Sequence, residues 1–139
     1  MATRSTISMK VDDKAGLKNI RTIYCHYDGY LSHNGTILLE HYNTADKVEK
    51  LLDLGDLSIL EKNLSTDKPH NFSNPVEGVC VAYGRDRGEK ETQSRYAFSY
   101  HYMNKESYNY IFKDGKWFYF RGNNFKNIYQ LTAESISLD

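Results

Sequence analysis

The sequence predicts one α+β domain over residues 1–139, an antiparallel sheet with helices packed on one face. Three observations point there. Segments near both ends alternate between apolar and polar residues. A segment in the first half carries apolar residues at helical spacing. An Asp114-Gly115 pair sits between two aromatic runs, the signature of a two-residue hairpin turn. The expected order is two N-terminal strands, then helices, then a four-strand meander ending in a C-terminal hairpin.

Ile7, Met9 and Val11 alternate with Thr6, Ser8 and Lys10, which reads as the first strand, and residues 12–16 read as a turn. Residues 20–28 read as the second strand. Alternation puts Arg21, Ile23, Cys25 and Tyr27 on one face and Thr22, Tyr24, His26 and Asp28 on the other. Residues 29–35 read as a turn, with Gly29 suited to a positive φ and Asn34 or Thr36 suited to cap a helix over residues 36–42.

Thr44 is a second cap candidate, with Asp46 in the first turn and Val48, Leu51 and Leu52 on one face. Gly55 reads as the stop, and Leu57, Ile59 and Leu60 as a short apolar turn beyond it. Residues 61–77 hold both prolines and read as a loop. Residues 78–83 read as a buried strand, residues 84–93 as a charged turn, and residues 94–103 as a strand with Tyr96, Phe98, Tyr100 and Tyr102 on one face.

The hairpin over residues 108–121 follows, with Phe112 opposite Trp117, Ile111 opposite Phe118 and Tyr110 opposite Tyr119. Both of its faces are apolar. One is expected to pack on the helices and the other to need a ligand or a second copy, so a homo-oligomer is expected. The tail, with Phe125, Ile128, Tyr129 and Leu131, reads as one short helix.

Composition narrows the function. The 139 residues carry 18 basic and 18 acidic side chains, a formal net charge of zero. General nucleic-acid binding needs a basic excess and is not expected. No apolar run approaches the ~18 residues of a membrane span, and the N-terminus leads straight into a strand pattern without a visible signal segment. The two cysteines, Cys25 and Cys80, read as buried thiols of a cytosolic protein. Twelve tyrosines, six phenylalanines and one tryptophan suit sheets, interfaces and pockets for planar ligands alike.

The polar chemistry concentrates in residues 23–42 and 83–89. His26, Asp28 and His33 are of metal-ligand type, but their spacing matches no established zinc pattern. They could equally brace the strand-to-helix junction by hydrogen bonds. A third reading is a ligand site in which Ser32, His33, Asn34 and Gly35 cradle an anion at a helix start, with Tyr24, Tyr27 or Tyr30 stacking on a ring. Arg85 and Arg87 would fork onto phosphate or carboxylate, or else brace a loop through Asp86. The candidate ligand-binding set is Tyr24, His26, Asp28, Tyr30, His33, Asn34, Arg85, Arg87 and Arg121. No catalytic residue, metal or cofactor is assigned. The enzymatic alternative is a hydrolase with His26 as acid or base and Asp28 orienting it.

Several stretches together resemble a family of small bacteriophage and prophage proteins. They are Thr3-Arg4-Ser5-Thr6-Ile7, Ile23-Tyr24-Cys25-His26-Tyr27-Asp28-Gly29-Tyr30, Asn34-Gly35-Thr36-Ile37-Leu38-Leu39-Glu40-His41-Tyr42, Leu54-Gly55-Asp56-Leu57-Ser58 and Tyr83-Gly84-Arg85-Asp86-Arg87-Gly88-Glu89. The family commonly has tryptophan where this chain has Tyr27. Within that range the chain resembles the Thoeris anti-defence sponge proteins. The resemblance implies a phage protein of the host cytoplasm that captures a cyclic ADP-ribose signal without cleaving it, as a homo-oligomer. The partner is thus expected to be a nucleotide-like small molecule. The alternative partner is a host defence or metabolic enzyme on which the hairpin face docks as an inhibitor.

Overall fold

The computed structural model describes residues 2–11, 16 and 18–138. It is an α+β fold built on one open sheet of eight strands. The strands are β1 (Ser5–Lys10), β2 (Ile20–Tyr27), β3 (Leu57–Ile59), β4 (Val81–Ala82), β5 (Arg95–Ala97), β6 (Tyr108–Lys113), β7 (Lys116–Arg121) and β8 (Tyr129–Gln130). The helices are α1 (Thr36–His41), α2 (Ala45–Asp53), α3 (Tyr83–Arg87) and α4 (Ala133–Ser137). The sheet runs β4-β3-β2-β1-β6-β7-β8, and β5 also pairs with β2.

Local signals account for the elements that match expectation. Alternation makes β1 and β2, which pair antiparallel with Ile7 opposite Ile23 and Thr6 opposite Tyr24. The Thr44 hydroxyl accepts the Lys47 N–H and starts α2, whose Val48, Leu51 and Leu52 are fully buried. Asp114 and Gly115 both take positive φ, and the β6–β7 register is the expected one.

Long-range pairing departs from the expected meander. The sheet is mixed: β1 runs parallel to β6, and β2 parallel to β3. The residues read as an apolar turn after Gly55 are strand β3, so β2, α1, α2 and β3 form a parallel crossover unit. Three residues with Ser58 among them are too few for alternation to register. The residues read as a strand over 78–83 hold only β4; Tyr83 already opens α3, and that helix replaces the first part of the turn expected over residues 84–93. The expected strand over 94–103 is β5 followed by a 3₁₀ turn at Tyr100–Tyr102. The tail is split between β8 and α4. The turn expected at residues 12–16 lies, apart from Gly16, outside the described residues.

The junction after β2 is also corrected. Leu31–Gly35 is a π-helical turn that runs straight into α1. Neither Asn34 nor Thr36 caps it: the N-cap positions of the two helical stretches are Tyr30 and Gly35, with no side-chain cap bond at either. Gly29 is not at positive φ. It is glycine because a Cβ there would sit 2.8 Å from both the Ser5 Cβ and the Thr3 carbonyl oxygen.

One face of the sheet carries the main core. Ile7, Ile23, Cys25, Tyr110 and Trp117 pack there with Leu38, Leu51 and Leu52 of the helices. The Trp117 indole N–H donates to the Tyr42 carbonyl at 2.7 Å, and the Tyr110 hydroxyl to the Gly29 carbonyl at 2.6 Å. The opposite hairpin face is covered within the same chain. Ile111 and Phe120 are both fully buried, with Tyr100 and Phe125 ring-packed on Phe120. Ile111 and Phe120 of the face expected to need a ligand or a second copy are thus covered by the chain's own residues, while Phe118 is half-buried with the Lys113 ammonium over its ring.

Candidate functional site

The polar face of β2 forms the floor of a cleft. Thr22, Tyr24 and His26 share this face, as alternation predicts, beside Thr6 and Ser8 of β1. The outer edge of β2 changes partner along its length. Residues 20–22 pair with β5, and Cys25 and Tyr27 pair with β3. At the split, the Tyr24 N–H has no strand carbonyl opposite it and donates instead to the Asp56 carboxylate at 2.9 Å.

Arg95 of β5 closes over Asp56 with its two terminal guanidinium nitrogens, Nη1 donating at 2.9 Å. That pairing holds the Arg95 pKa above its ordinary value. Gly55 makes the approach possible: it is at φ +77°, and a Cβ there would come within 2.3 Å of the Thr92 carbonyl oxygen. The Asp56 N–H then donates to that same carbonyl at 2.8 Å.

The far wall is the segment after β5. Lys105 fastens it by donating its ammonium hydrogens to the Tyr100 and Met103 carbonyls, each at 2.9 Å. Fully buried Asn109 fastens the next residue, accepting the Glu106 N–H and donating to the Glu106 carbonyl, each at 2.9 Å. Between floor and walls lies a cavity of about 350 Å³ lined by Thr6, Thr22, Tyr24, Asp56, Arg95 and Glu106, with Tyr102 at its side. That size falls in the range of small-molecule sites, roughly 300–1,000 Å³. The Tyr24 hydroxyl is 2.7 Å from His26 Nδ1. Partial burial raises its pKa, with Arg4 and Glu106 acting on it in opposite senses.

The candidate residues fall into separate places. Tyr24 lines the cleft, and His26 supports it through the ring nitrogen. Asn34 is fully buried and donates to the Ser5 hydroxyl at 3.1 Å, while its amide oxygen meets His33 Nδ1 at 2.8 Å. Tyr30 packs edge-on against His33. The Asn34 N–H donates to the Asp28 carbonyl, the His33 N–H to the Tyr30 carbonyl and the Thr36 N–H to the Leu31 carbonyl. The stretch expected to cradle an anion is thus an internally bonded helical turn. Among the described residues, no three His, Cys, Asp or Glu side chains gather to hold a metal ion.

Both arginines of the candidate pair have partners within the chain. Arg85 donates to the Cys80 and Leu64 carbonyls and to Asp86. Buried Asp86 also accepts the Ala82 N–H at 2.8 Å. Burial alone would raise its pKa, but Arg85, the Ala82 N–H and the nearby His70 outweigh it and pull it below its ordinary value. His70 Nε2 lies 3.2 Å from the Cys80 carbonyl and 3.3 Å from Asp86, and its Nδ1 accepts the Val76 N–H at 2.8 Å. Nδ1 must therefore be unprotonated and Nε2 the donor. With both nitrogens engaged, this His–Asp pair ties the 61–77 loop to α3 and leaves no free base. Arg87 lies over the Phe72 and Tyr83 rings and pairs with Glu89. Arg121 lies over the Tyr108 ring, beside a separate groove formed by Leu31, Tyr119 and Tyr129.

Sequence reasoning missed Asp56, Arg95 and Glu106. Asp56 carried one usable signal, an acidic residue directly after a helix-stopping glycine. Arg95 carried none, because it reaches the cleft through pairing with β2 and Asp56, distant in sequence; Glu106 is clamped locally by Asn109, but the distant pairing of β6 with β1 is what brings that clamp to the cleft.

Comparison of the chain with family models and with curated proteins, and of its fold with solved structures, gave no match. The roles of its residues rest on the geometry described above.

Proposed function

We propose that this chain is a non-enzymatic binding protein that captures a small nucleotide-derived signal in the cleft over β2. The observation that carries capture is the cavity of about 350 Å³ at the point where β2 changes partner, with walls fixed by Asn109, Lys105 and the Asp56–Arg95 pair. A preformed site holds a ligand without the cost of ordering loops around it. Its lining suits a ring with polar substituents: Tyr24 and Tyr102 offer aromatic surface, Thr6 and Thr22 hydroxyls, and Arg95 a half-exposed cation.

The ligand class and setting come from the resemblance. The ligand is a cyclic ADP-ribose isomer or a related signal, and the chain is a phage protein that removes it from the host cytoplasm and so blunts a bacterial defence. Capture without turnover agrees with the side chains. Burial pushes the Cys25 thiol up to about 12 and raises that of Cys80, so neither is a nucleophile at neutral pH. Calorimetric titration against cyclic ADP-ribose isomers and cyclic oligonucleotides tests the proposal. The expected result is saturable binding of one of them, with the ligand recovered intact; no heat from any of them overturns it.

A second reading has its own observation. Tyr96, Phe98 and Tyr102 are 51%, 52% and 69% exposed, a row of rings on the segment that walls the cleft. This row, rather than the hairpin, is where a host protein would dock. Co-purification of a defined host enzyme that is lost on Phe98→Ser favours it; unchanged capture counts against it.

A further inference from the structure

Glu106 is held in place more firmly than a surface glutamate requires. Its N–H and its carbonyl are both clamped by the Asn109 side-chain amide. That amide is fully buried, accepts the Thr6 hydroxyl at 2.9 Å, and donates further to the Gly122 carbonyl at 3.0 Å. The clamp thus links the cleft floor, its wall and the hairpin. Yet the Glu106 carboxylate itself makes no hydrogen bond or ion pair among the described residues, though it lines the cavity. The buried network fixes the Glu106 backbone at the cavity wall, and the side chain offers a charged acceptor there to a donor that arrives from outside.

A second polar group lies on the same cavity. The Tyr24 hydroxyl pairs with His26 Nδ1 at 2.7 Å, and where it donates to that nitrogen its oxygen accepts from a ligand. The ligand must then present paired hydroxyls or an ammonium group. Asp56 and Arg95 pair with each other, which leaves the Glu106 carboxylate to the ligand. With the cleft read as a nucleotide site, paired hydroxyls are what the ribose of the ligand presents to it. A carboxylate accepting from a ribose hydroxyl is an established mode of sugar recognition.

We propose that Glu106, with Tyr24 beside it, is the sugar-recognising element of this cleft and selects ligands that carry a ribose cis-diol. This rests on the reading of the cleft as a ligand site and adds which part of the ligand lies where. Tyr102, exposed at the cavity's side, is placed to cover the apolar face of the sugar ring.

Saturation-transfer NMR on the intact chain tests this with three probes at millimolar concentration: adenosine, 2′,3′-dideoxyadenosine and 1,4-diaminobutane. The expected result is transfer to the ribose protons of adenosine and none to the diamine. Losing a hydrogen bond to a charged group should weaken the dideoxy analogue about tenfold to a hundredfold. Glu106→Gln should weaken adenosine comparably and abolish the preference for it, while the thermal midpoint stays unchanged because the carboxylate has no hydrogen bond or ion pair among the described residues. The probe comparison in wild-type protein needs no variant to fold. Equal binding of the two nucleosides, binding of neither, or binding of the diamine alone overturns the proposal. If both nucleosides bind equally and a cyclic ADP-ribose isomer also binds, the capture reading stands and only the Glu106 assignment falls.

Discussion

The Asp56 carboxylate accepts the Tyr24 N–H at 2.9 Å, at the place where β2 gives up β5 and has not yet reached β3. One side chain replaces a missing strand carbonyl, fixes Arg95 across it, and so holds open a cavity that a continuous sheet edge would have closed.

Asp56→Ala removes that acceptor. The Tyr24 N–H is then left without a partner, which costs about 2 kcal/mol of stability. Arg95 adds little to this, because its half-exposed guanidinium is taken over by solvent. Asp56→Asn keeps an oxygen for the N–H and loses roughly half as much. Urea denaturation of the three proteins checks the order.

Arg85→Ala and Arg87→Ala separate two arginines that look equivalent in sequence. Removing Arg85 takes one donor each from the buried Asp86 carboxylate and the Cys80 carbonyl, which keep Ala82 N–H and His70, at about 1–2 kcal/mol. Removing Arg87 loses stacking on Phe72 and Tyr83, about 0.5–1 kcal/mol. Neither alters ligand affinity in protein that remains folded, which calorimetry at low temperature reads.

Stability falls at acid pH through Asp86. Its carboxyl is held below its ordinary 3.8 in the folded chain. The stability it contributes is complete above that value and is lost as pH drops further, through the lower folded pKa. Asp86→Asn is therefore less stable than wild type at neutral pH but flatter below about pH 4, as thermal midpoints across pH 2–7 would show.

At the alkaline end the sign reverses. Cys25 is pushed from its ordinary 9.0 up to about 12 by complete burial. The folded chain keeps the thiol neutral, so this contribution is full below pH 9.0 and fades as pH climbs toward about 12. Tyr42, whose hydroxyl donates to the Glu61 carbonyl, is raised in the same direction. Cys25→Ala should flatten the midpoint-against-pH curve above pH 9, and alkylation of Cys25 at pH 8 should proceed only as fast as the chain unfolds.

What could be read from the sequence was set by short-range rules. Period-two alternation placed β1, β2 and the hairpin, and sorted Tyr24 and His26 onto one face. A hydroxyl at Thr44 and the Asp114-Gly115 pair acted within four residues of their targets. What escaped was long-range or too short to show a period. The parallel pairing of Ile7 with Tyr110 joins residues about a hundred apart in sequence, and nothing local announces it. The alternation through Tyr96, Phe98, Tyr100 and Tyr102 breaks after Ala97, because the chain turns there to cover Ile111 and Phe120. Nor does the sequence show that Arg85 of the candidate arginine pair already donates to Leu64, Cys80 and Asp86.

The most direct test is a ¹H–¹⁵N spectrum of the protein titrated with the cyclic ADP-ribose isomer that gives heat in calorimetry. The account predicts shifts at the amides of Thr22, Tyr24, Arg95, Tyr102 and Glu106, saturating at a fixed stoichiometry, with Ser32, His33, Asn34 and Arg121 unmoved. Shifts centred on residues 32–35 or on Arg121, with the β2 cleft silent, would contradict it.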